Sequence, residues 1–121
     1  MTTLTITLPW PSSVLSPNGR AHWTAKQEAK CAARDLGYSL AHNERMGLPK
    51  PLAGEKFHLR LVFHPPDKKY RDLDNMLASI KSCLDGVCVG IGIDDSQIKA
   101  ITMQKGLVVA GGAVRLSLEP I

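Results

Sequence analysis

The sequence has few aromatic residues, few cysteines and no long hydrophobic run. Aromatic residues make up only 5% of the 121 positions, so aliphatic side chains must dominate the core. The three cysteines, Cys31, Cys83 and Cys88, cannot all pair within one chain, and their spacing matches no zinc site. Unpaired cysteines are typical of a reducing cytoplasm. No apolar run reaches the roughly 18 residues of a membrane span, and no secretory signal is expected. The sequence therefore predicts a cytoplasmic globular protein with no membrane segment.

Acidic residues are unevenly distributed along a basic chain. The sequence has 15 Lys+Arg and 11 Asp+Glu, which gives a formal net charge of +4. Six of the acids lie between positions 67 and 95, and all of them are aspartates: Asp67, Asp72, Asp74, Asp85, Asp94 and Asp95. Such a local group in a basic chain is typical of metal-dependent enzymes that act on polyanions. The alternative is that these aspartates are helix caps and turn residues.

The periodicity of the sequence predicts an α+β fold with the element order β-α-β-α-β-β. Alternating apolar and polar residues at 3–8 and 56–63 predict two strands. Two later segments, 98–105 and 113–118, are expected to form a hairpin closed around the glycines at 111 and 112. Residues 1–121 are then a single small domain with a mixed sheet and two helices.

Two helical segments separate the predicted strands. Thr24 and Gln27 match a capping box, so the first helix is expected to begin there and to end near Met46. The second helix is marked by an apolar stripe that starts at Leu73, and Gly86 is its predicted C-terminal cap. Residues 87–93 fit either a strand or an ordered loop.

The most specific chemical signal is residues 71–75, RDLDN. Residues two apart share a face in an extended chain and point in nearly opposite directions on a helix. We therefore expect the chain to stay extended through Asp72 and Asp74, with the helix beginning near Asn75. Two converging carboxylates repel each other unless a cation lies between them, and Mg²⁺ is the natural cation for such a site.

A second acidic point, Asp94 and Asp95, follows the predicted second helix. If the chain returns along the helix there, three carboxylates face a common site. Other uses of the motif fit less well. Met76 and Leu77 stand where a Ca²⁺ loop needs a ligand and a glycine, and no Gly-rich phosphate loop is present. A metal nuclease or phosphatase with another substrate, and a non-catalytic basic DNA-binding module, remain alternatives.

Four segments resemble the RusA family of Holliday junction resolvases: RDLDN at 71–75, LDGV at 84–87, DDSQI at 94–98 and ITLPWP at 6–11. The resemblance covers nearly the whole chain. It implies a Mg²⁺-dependent endodeoxyribonuclease, with Mn²⁺ as a substitute ion, that works as an intertwined homodimer. It also implies that the substrate is a four-way DNA junction, resolved by paired symmetric cleavage in recombination and repair. Members of the family are common in phages and prophages.

The resemblance implies which residues act. The family's catalytic, metal-binding carboxylates fall on Asp72, Asp74 and Asp95. Many members carry a lysine one turn after the second aspartate, and this chain has Ala78 there. Lys81 lies one turn further on and is expected to lean back toward Asp74 and take the place of that lysine.

Several basic residues are expected to contact DNA. The family's basic loop falls on Lys68, Lys69 and Arg71. Lys26 and Lys30 share one face of the predicted first helix, a pattern that fits a solvated face as well as a DNA contact. The full predicted set is Arg20, Lys26, Lys30, Lys68, Lys69 and Arg71. Two glycine-rich stretches, 86–93 and 106–114, are candidate dimer surfaces, with internal strands as the alternative.

Overall fold

A computed structural model describes residues 2–121 and confirms the α+β class and the predicted element order. The two helices are α1, Trp23–Arg45, and α2, Leu73–Ile91. Two single-turn 3-10 helices, Ser13–Leu15 and Asp95–Gln97, precede α1 and the third strand. The strands are β1 Leu4–Pro9, β2 Phe57–His64, β3 Ile98–Lys105 and β4 Ala113–Pro120. Within residues 2–121 neither helix combines the length and the hydropathy needed to cross a membrane.

The four strands form one mixed sheet in the order β1-β4-β2-β3. β4 is antiparallel to both β1 and β2, and β3 is parallel to β2. The predicted hairpin of the last two strands is therefore wrong. The physical reason is that α2 carries the chain back along the sheet between β2 and β3, and such a crossover connection produces parallel strands.

A loop carries the chain from the edge strand β3 past the end of β2 to β4. The Gly106 N–H donates to the Phe63 carbonyl at 2.8 Å, and the Val109 N–H donates to the Pro65 carbonyl at 3.0 Å. A Cβ atom at Gly106 would meet the His64 ring and the Val62 side chain, so a larger residue there would displace these side chains. A tight turn does form at the expected glycines, where the Gly112 N–H donates to the Val109 carbonyl at 2.8 Å, but it leads into β4 without pairing it with β3.

The core lies on one face of the sheet, under the two helices. Alternate residues of β1, β2 and β4 are buried, in agreement with the predicted strand periodicity. Helix α2 contributes most of the helical side of the core, including Met76, Ile80 and Val87. Helix α1 is mostly exposed, and only Gly37 and Ala41 are buried in it.

Helices α1 and α2 approach each other closely because glycines stand at their contact. A Cβ atom at Gly86 would meet the Arg34 carbonyl, and one at Gly37 would meet the Cys83 carbonyl. Gly86 is therefore a buried contact in the middle of α2, and its predicted role as a cap is wrong. The true C-terminal cap is Gly92, which has the left-handed conformation (φ 89°) that glycine adopts without strain.

Two further sequence interpretations change. The 86–93 stretch, expected as a strand or as a dimer surface, is the last part of α2 and its cap, and is mostly buried. Helix α1 begins one residue before Thr24. Its N-terminal cap is the His22 side chain, whose Nδ1 accepts a hydrogen bond from the Thr24 N–H at 3.2 Å. The predicted capping box at Thr24 is therefore wrong, because an imidazole acceptor already satisfies this N–H group.

Candidate active site

The start of α2 carries two of the predicted carboxylates. Asp72 directly precedes the helix and has an extended backbone (φ −79°, ψ 142°), whereas Asp74 lies inside the first turn. The expectation of an extended chain up to Asp74 is wrong, because the helix already begins at Leu73, which packs against the core. Asp72 occupies the cap position, yet its carboxylate makes no hydrogen bond to the helix N–H groups. A purely capping role therefore does not explain Asp72.

Side chains from both directions along the chain face the Asp72 carboxylate. Asn75 Nδ2 lies 3.4 Å from Asp72 Oδ2. The Tyr70 hydroxyl interacts with the same carboxylate, and this interaction, followed by the negative charges of Asp72 and Asp74, raises the pKa of Tyr70. Asp74 is exposed, and its carboxylate has no hydrogen bond or ion pair within residues 2–121. Oxygen atoms of both aspartates are thus available to an external ligand.

Arg71 organises the loop that leads into α2. Its guanidinium donates to Asp67 Oδ1 at 2.9 Å and to the Lys69 carbonyl at 3.2 Å. The same group lies 5.4 Å above the Trp10 ring, which in turn makes an edge contact with Phe63. The hydrogen bond from Arg71, and then the one from the Lys69 N–H, hold the pKa of Asp67 below its ordinary value. Arg71 therefore joins the loop to the end of β1 and is half-buried rather than projecting outward.

An open cleft of about 510 Å³ borders Asp72. It lies between the first turns of α2 and the segment that follows β1. Most of its lining is neutral, a mixture of apolar surface with hydroxyl and amide groups: Trp10, Pro11, Ser12, Ser13, Ser16, Asn18, Pro66, Tyr70, Arg71, Asp72, Asn75, Met76 and Ser79.

The Asp94 and Asp95 pair lies beyond the other end of α2. Asp94 caps the short 3-10 helix, since its carboxylate accepts from the Ser96 N–H at 2.9 Å while Gln97 Oε1 accepts from the Asp94 N–H at 2.9 Å. The hydrogen bonds from Ser96, followed by the one with Asp95, lower the pKa of Asp94. Asp94 is therefore a helix cap, as the alternative interpretation of the aspartates predicted. Asp95 is the first residue of the 3-10 helix, and its side chain is exposed.

Lys81 lies near the middle of α2. Its Nζ lies 3.3 Å from Asp85 Oδ1, one turn toward the C-terminus, so it does not lean back toward Asp74 as expected. Burial, and then the negative charges of Asp85 and Asp95, raise the pKa of Cys88 to about 11, and the charge of Lys81 opposes this effect. Negative charge from Asp85 and Asp95 therefore lies near Cys88, in the last turns of α2.

The three predicted catalytic carboxylates do not meet within one chain. Helix α2 has 19 residues and a length of roughly 28 Å at about 1.5 Å per residue. Asp72 and Asp74 lie at its start, and Asp95 lies past its end. In the part of the chain from residue 2 onward, no three His, Cys, Asp or Glu side chains form a group that could hold a metal ion. The expected return of Asp95 to the helix start is therefore wrong within a single chain.

The remaining predicted DNA contacts lie on exposed or half-exposed surfaces. Lys68 and Lys69 are exposed in the loop before α2, next to the motif. Arg20 is exposed just ahead of α1, and Lys26 and Lys30 occupy the first two turns of that helix. The fold thus brings Lys68 and Lys69 to the Asp72 end of α2.

Sequence reasoning missed the cleft-lining residues Trp10, Asn18, Tyr70 and Asn75 as members of the site. Two of them carried a signal. Trp10 stands between two prolines at a strand end, where a large apolar side chain needs a packing reason. Asn75 is part of RDLDN, but the motif predicted only that a helix begins near this residue. Nothing in the local pattern indicates that Asn18 reaches the same cleft, because the chain between 16 and 22 forms no helix or strand.

Comparison with known proteins supports the sequence resemblance over the full chain. The chain is 32% identical to the crossover junction endodeoxyribonuclease RusA of Escherichia coli K12, over 98% of this chain and 95% of that protein. It has the same identity and coverage with the RusA protein of Enterobacteria phage 82. An uncharacterised protein of Xylella fastidiosa is 38% identical over 96% of this chain and 76% of its own length. No family model matches the chain.

This similarity over the full chain agrees with the motifs on which the resemblance was based. They are the paired aspartates at the start of α2, the DDSQ segment beyond its end, and the ITLPWP segment at β1. The chain therefore belongs to the RusA family of crossover junction endodeoxyribonucleases.

Proposed function

We propose that this protein is a Mg²⁺-dependent endonuclease that resolves four-way DNA junctions by paired cuts. The observation that carries the proposal is Asp72 at the rim of a cleft, with the exposed Asp74 two residues on and the exposed Lys68 and Lys69 in the preceding loop. The similarity to RusA proteins, named as crossover junction endodeoxyribonucleases, supports the same substrate.

The residues at the start of α2 fit a magnesium ion. Mg²⁺ binds oxygen ligands and is commonly held by one or two carboxylates, with waters and substrate phosphates completing its shell. Asp72 and Asp74 offer two carboxylates that the helix itself does not use as caps. A bound Mg²⁺ supplies polarisation of the scissile phosphate and activation of a water nucleophile.

The other residues of this region orient the substrate. Lys68 and Lys69 attract the phosphates on either side of the cut through charge that does not depend on base sequence. Asn75 and Tyr70 hold the Asp72 carboxylate in one orientation. Arg71 keeps the loop against Trp10, so that the two lysines and Asp72 stay together.

We further propose that each active site is completed by a second copy of the chain. The distance of roughly 28 Å along α2 separates Asp95 from Asp72 and Asp74, so a shared site requires two chains. A two-fold dimer brings the Asp95 end of one copy to the Asp72 end of the other, and does so twice. Lys81, which lies near the middle of α2 about two turns from Asp74, is proposed to neutralise charge that develops on the phosphate.

The surface around β3 supports such a dimer. β3 is an edge strand, so one row of its backbone N–H and C=O groups is unpaired by the sheet. Ile101 faces the helix side yet is 48% exposed, and the loop after β3 exposes Leu107, Val108 and Val109. The loop lies within the predicted 106–114 surface.

The decisive experiment compares cleavage of a synthetic four-way junction with cleavage of a linear duplex of the same sequence. We expect paired nicks in the junction with Mg²⁺ or Mn²⁺, and no cuts in the duplex. Asp74→Asn should lose cleavage by at least about 100-fold, the scale for removing a charged group from an active site, and should still bind the junction. Asp35→Asn, an exposed aspartate on α1, is the matched control and should behave as wild type.

The alternatives have distinct outcomes. Equal cleavage of duplex and junction would identify a nuclease with another substrate. Junction binding with no cleavage at any Mg²⁺ or Mn²⁺ concentration would identify a non-catalytic DNA-binding module. Wild-type cleavage by Asp74→Asn would contradict the metal site.

A further inference from the structure

The cleft beside Asp72 has the wrong chemistry for a phosphate groove. Arg71 is the single cation among its lining residues, and its guanidinium is already bonded to Asp67. The walls instead combine apolar faces of Trp10, Pro11 and Met76 with neutral hydroxyl and amide groups. Flipped or unstacked nucleobases are bound in sites of this composition, where apolar surface covers the ring and polar groups pair with its edge.

Two polar side chains in the cleft are available to a ligand. Ser12 and Ser16 each accept a hydrogen bond from a backbone N–H of their own loop, and Ser79 donates to the Asn75 carbonyl. In contrast, the side-chain carboxamide of Asn18 makes no hydrogen bond within residues 2–121. The same is true of the Ser13 hydroxyl. A carboxamide offers a donor and an acceptor in one plane, which is the arrangement that pairs with two adjacent groups on a base edge.

Tyr70 provides an aromatic surface at the mouth of the cleft. Its ring is 84% exposed, although it lines the cleft and lies next to the catalytic motif. Lys105 Nζ lies 5.0 Å from the centroid of the ring. An exposed aromatic ring held in this way is suited to stack on a base.

We propose that this cleft receives one unstacked nucleobase of the strand being cut, stacked on Tyr70 and read at its edge by Asn18. The base is the one attached to the nucleotide next to the phosphate at Asp72, because Asp72 forms the rim of the cleft. The inference rests on the proposed function. It makes the region between β1 and α1 the determinant of sequence preference at the cut.

The first test measures cleavage of four-way junctions that differ only in the nucleotide on either side of the cut. We expect wild type to discriminate among the four bases at one of these positions by about tenfold or more, the scale of one base contact. Asn18→Ala should reduce this spread to about threefold or less. Asn43→Ala, an exposed asparagine on α1, is the matched control and should keep the wild-type preference.

The second test separates stacking from the hydroxyl of Tyr70. The loss of junction affinity should be about tenfold greater for Tyr70→Leu than for Tyr70→Phe, because only phenylalanine retains the aromatic face. Melting curves check that each variant folds. Equal loss in both variants, or an Asn18→Ala enzyme with the wild-type preference, would overturn the nucleobase site while leaving the nuclease function intact. A wild type that cuts no junction at all would overturn both.

Discussion

The two ends of helix α2 use the same residue type in different ways. At its start, Asp72 occupies the cap position but makes no capping hydrogen bond, and Asp74 is exposed. Beyond its end, Asp94 is fully engaged as the cap of a short 3-10 helix, whereas the adjacent Asp95 is exposed. The backbone hydrogen bonds around each carboxylate therefore distinguish a structural aspartate from one that is free to bind a ligand.

The comparison also separates two kinds of surroundings. The start of α2 is next to a cleft and the exposed Lys68 and Lys69, whereas the last turn of α2 carries no basic residue. Among residues 2–121, neither end holds a complete set of three carboxylates. We infer that the two ends supply complementary parts of a site.

The largest expected effect is at the far end. Asp95→Asn should lower junction cleavage by at least about 100-fold, because it removes a carboxylate from the site. Asp94→Asn should cleave within a few-fold of wild type, because asparagine also serves as an N-terminal cap. Cleavage rates measured in parallel at saturating Mg²⁺ provide the check. A greater loss with Asp94→Asn would reverse the assignment.

A mixing experiment sharpens the comparison between the ends. Asp72→Asn and Asp95→Asn are each expected to be inactive alone. Random pairing of the two proteins gives about half mixed dimers, each with one intact site if the site is shared, so roughly a quarter of wild-type nicking should return. The nicks should be single rather than paired. If the mixture stays inactive although the subunits exchange, the three carboxylates are not shared between chains.

A smaller effect is expected at the basic loop beside Asp72. Lys68→Ala should weaken junction binding several-fold for every sequence and flatten the slope of log affinity against log salt by about one unit. Lys68→Arg keeps the charge and is the control, with an unchanged slope. Affinities measured in Ca²⁺ over a salt series give the slope. If alanine leaves it unaltered, the loop does not contact phosphate.

The smallest effect concerns stability. Asp94→Ala should lower the melting temperature at neutral pH, and Asp95→Ala should not, because only Asp94 caps a helix. The pKa of Asp94 is lower in the folded protein than its ordinary 3.8, so its contribution is complete above that value. It is lost as the pH falls through the lowered pKa. Thermal unfolding of wild type and Asp94→Ala should therefore converge in strong acid; a constant difference would point to another cause.

Local patterns predicted the elements better than their arrangement. Strand alternation located β1 and β2 because the sheet has one buried face, which imposes a period of two. The prediction that β3 and β4 pair was wrong because it relied on their being consecutive in sequence. The side-chain pattern of a strand does not specify which strand lies beside it. Gly86 was interpreted as a cap because glycine is common there, but the Arg34 backbone that requires it is distant in sequence.

The candidate site was predictable only in part for the same reason. RDLDN contains Asp72, Asp74 and Asn75 within one turn of chain, so their proximity follows from sequence alone. The distance between Asp95 and the other two aspartates follows from the full length of α2. The sequence did not predict that length, because it placed the end of the helix at Gly86 instead of Gly92. The cleft joins the 11–18 segment to α2, and this contact between distant segments has no local signal.

The sheet order also has a consequence for how the chain folds. β1, the first strand, is an edge strand whose only neighbour in the sheet is β4, the last one. During synthesis, Leu4, Ile6 and Leu8 therefore have no strand to pair with until residues 113–120 emerge from the ribosome. Pairing between two segments so far apart in the sequence also closes a long loop, which slows folding. Until β4 is made, β1 has no partner strand in this sheet and its edges are open to pairing with other chains, and removal of β4 should leave a chain that cannot form this sheet.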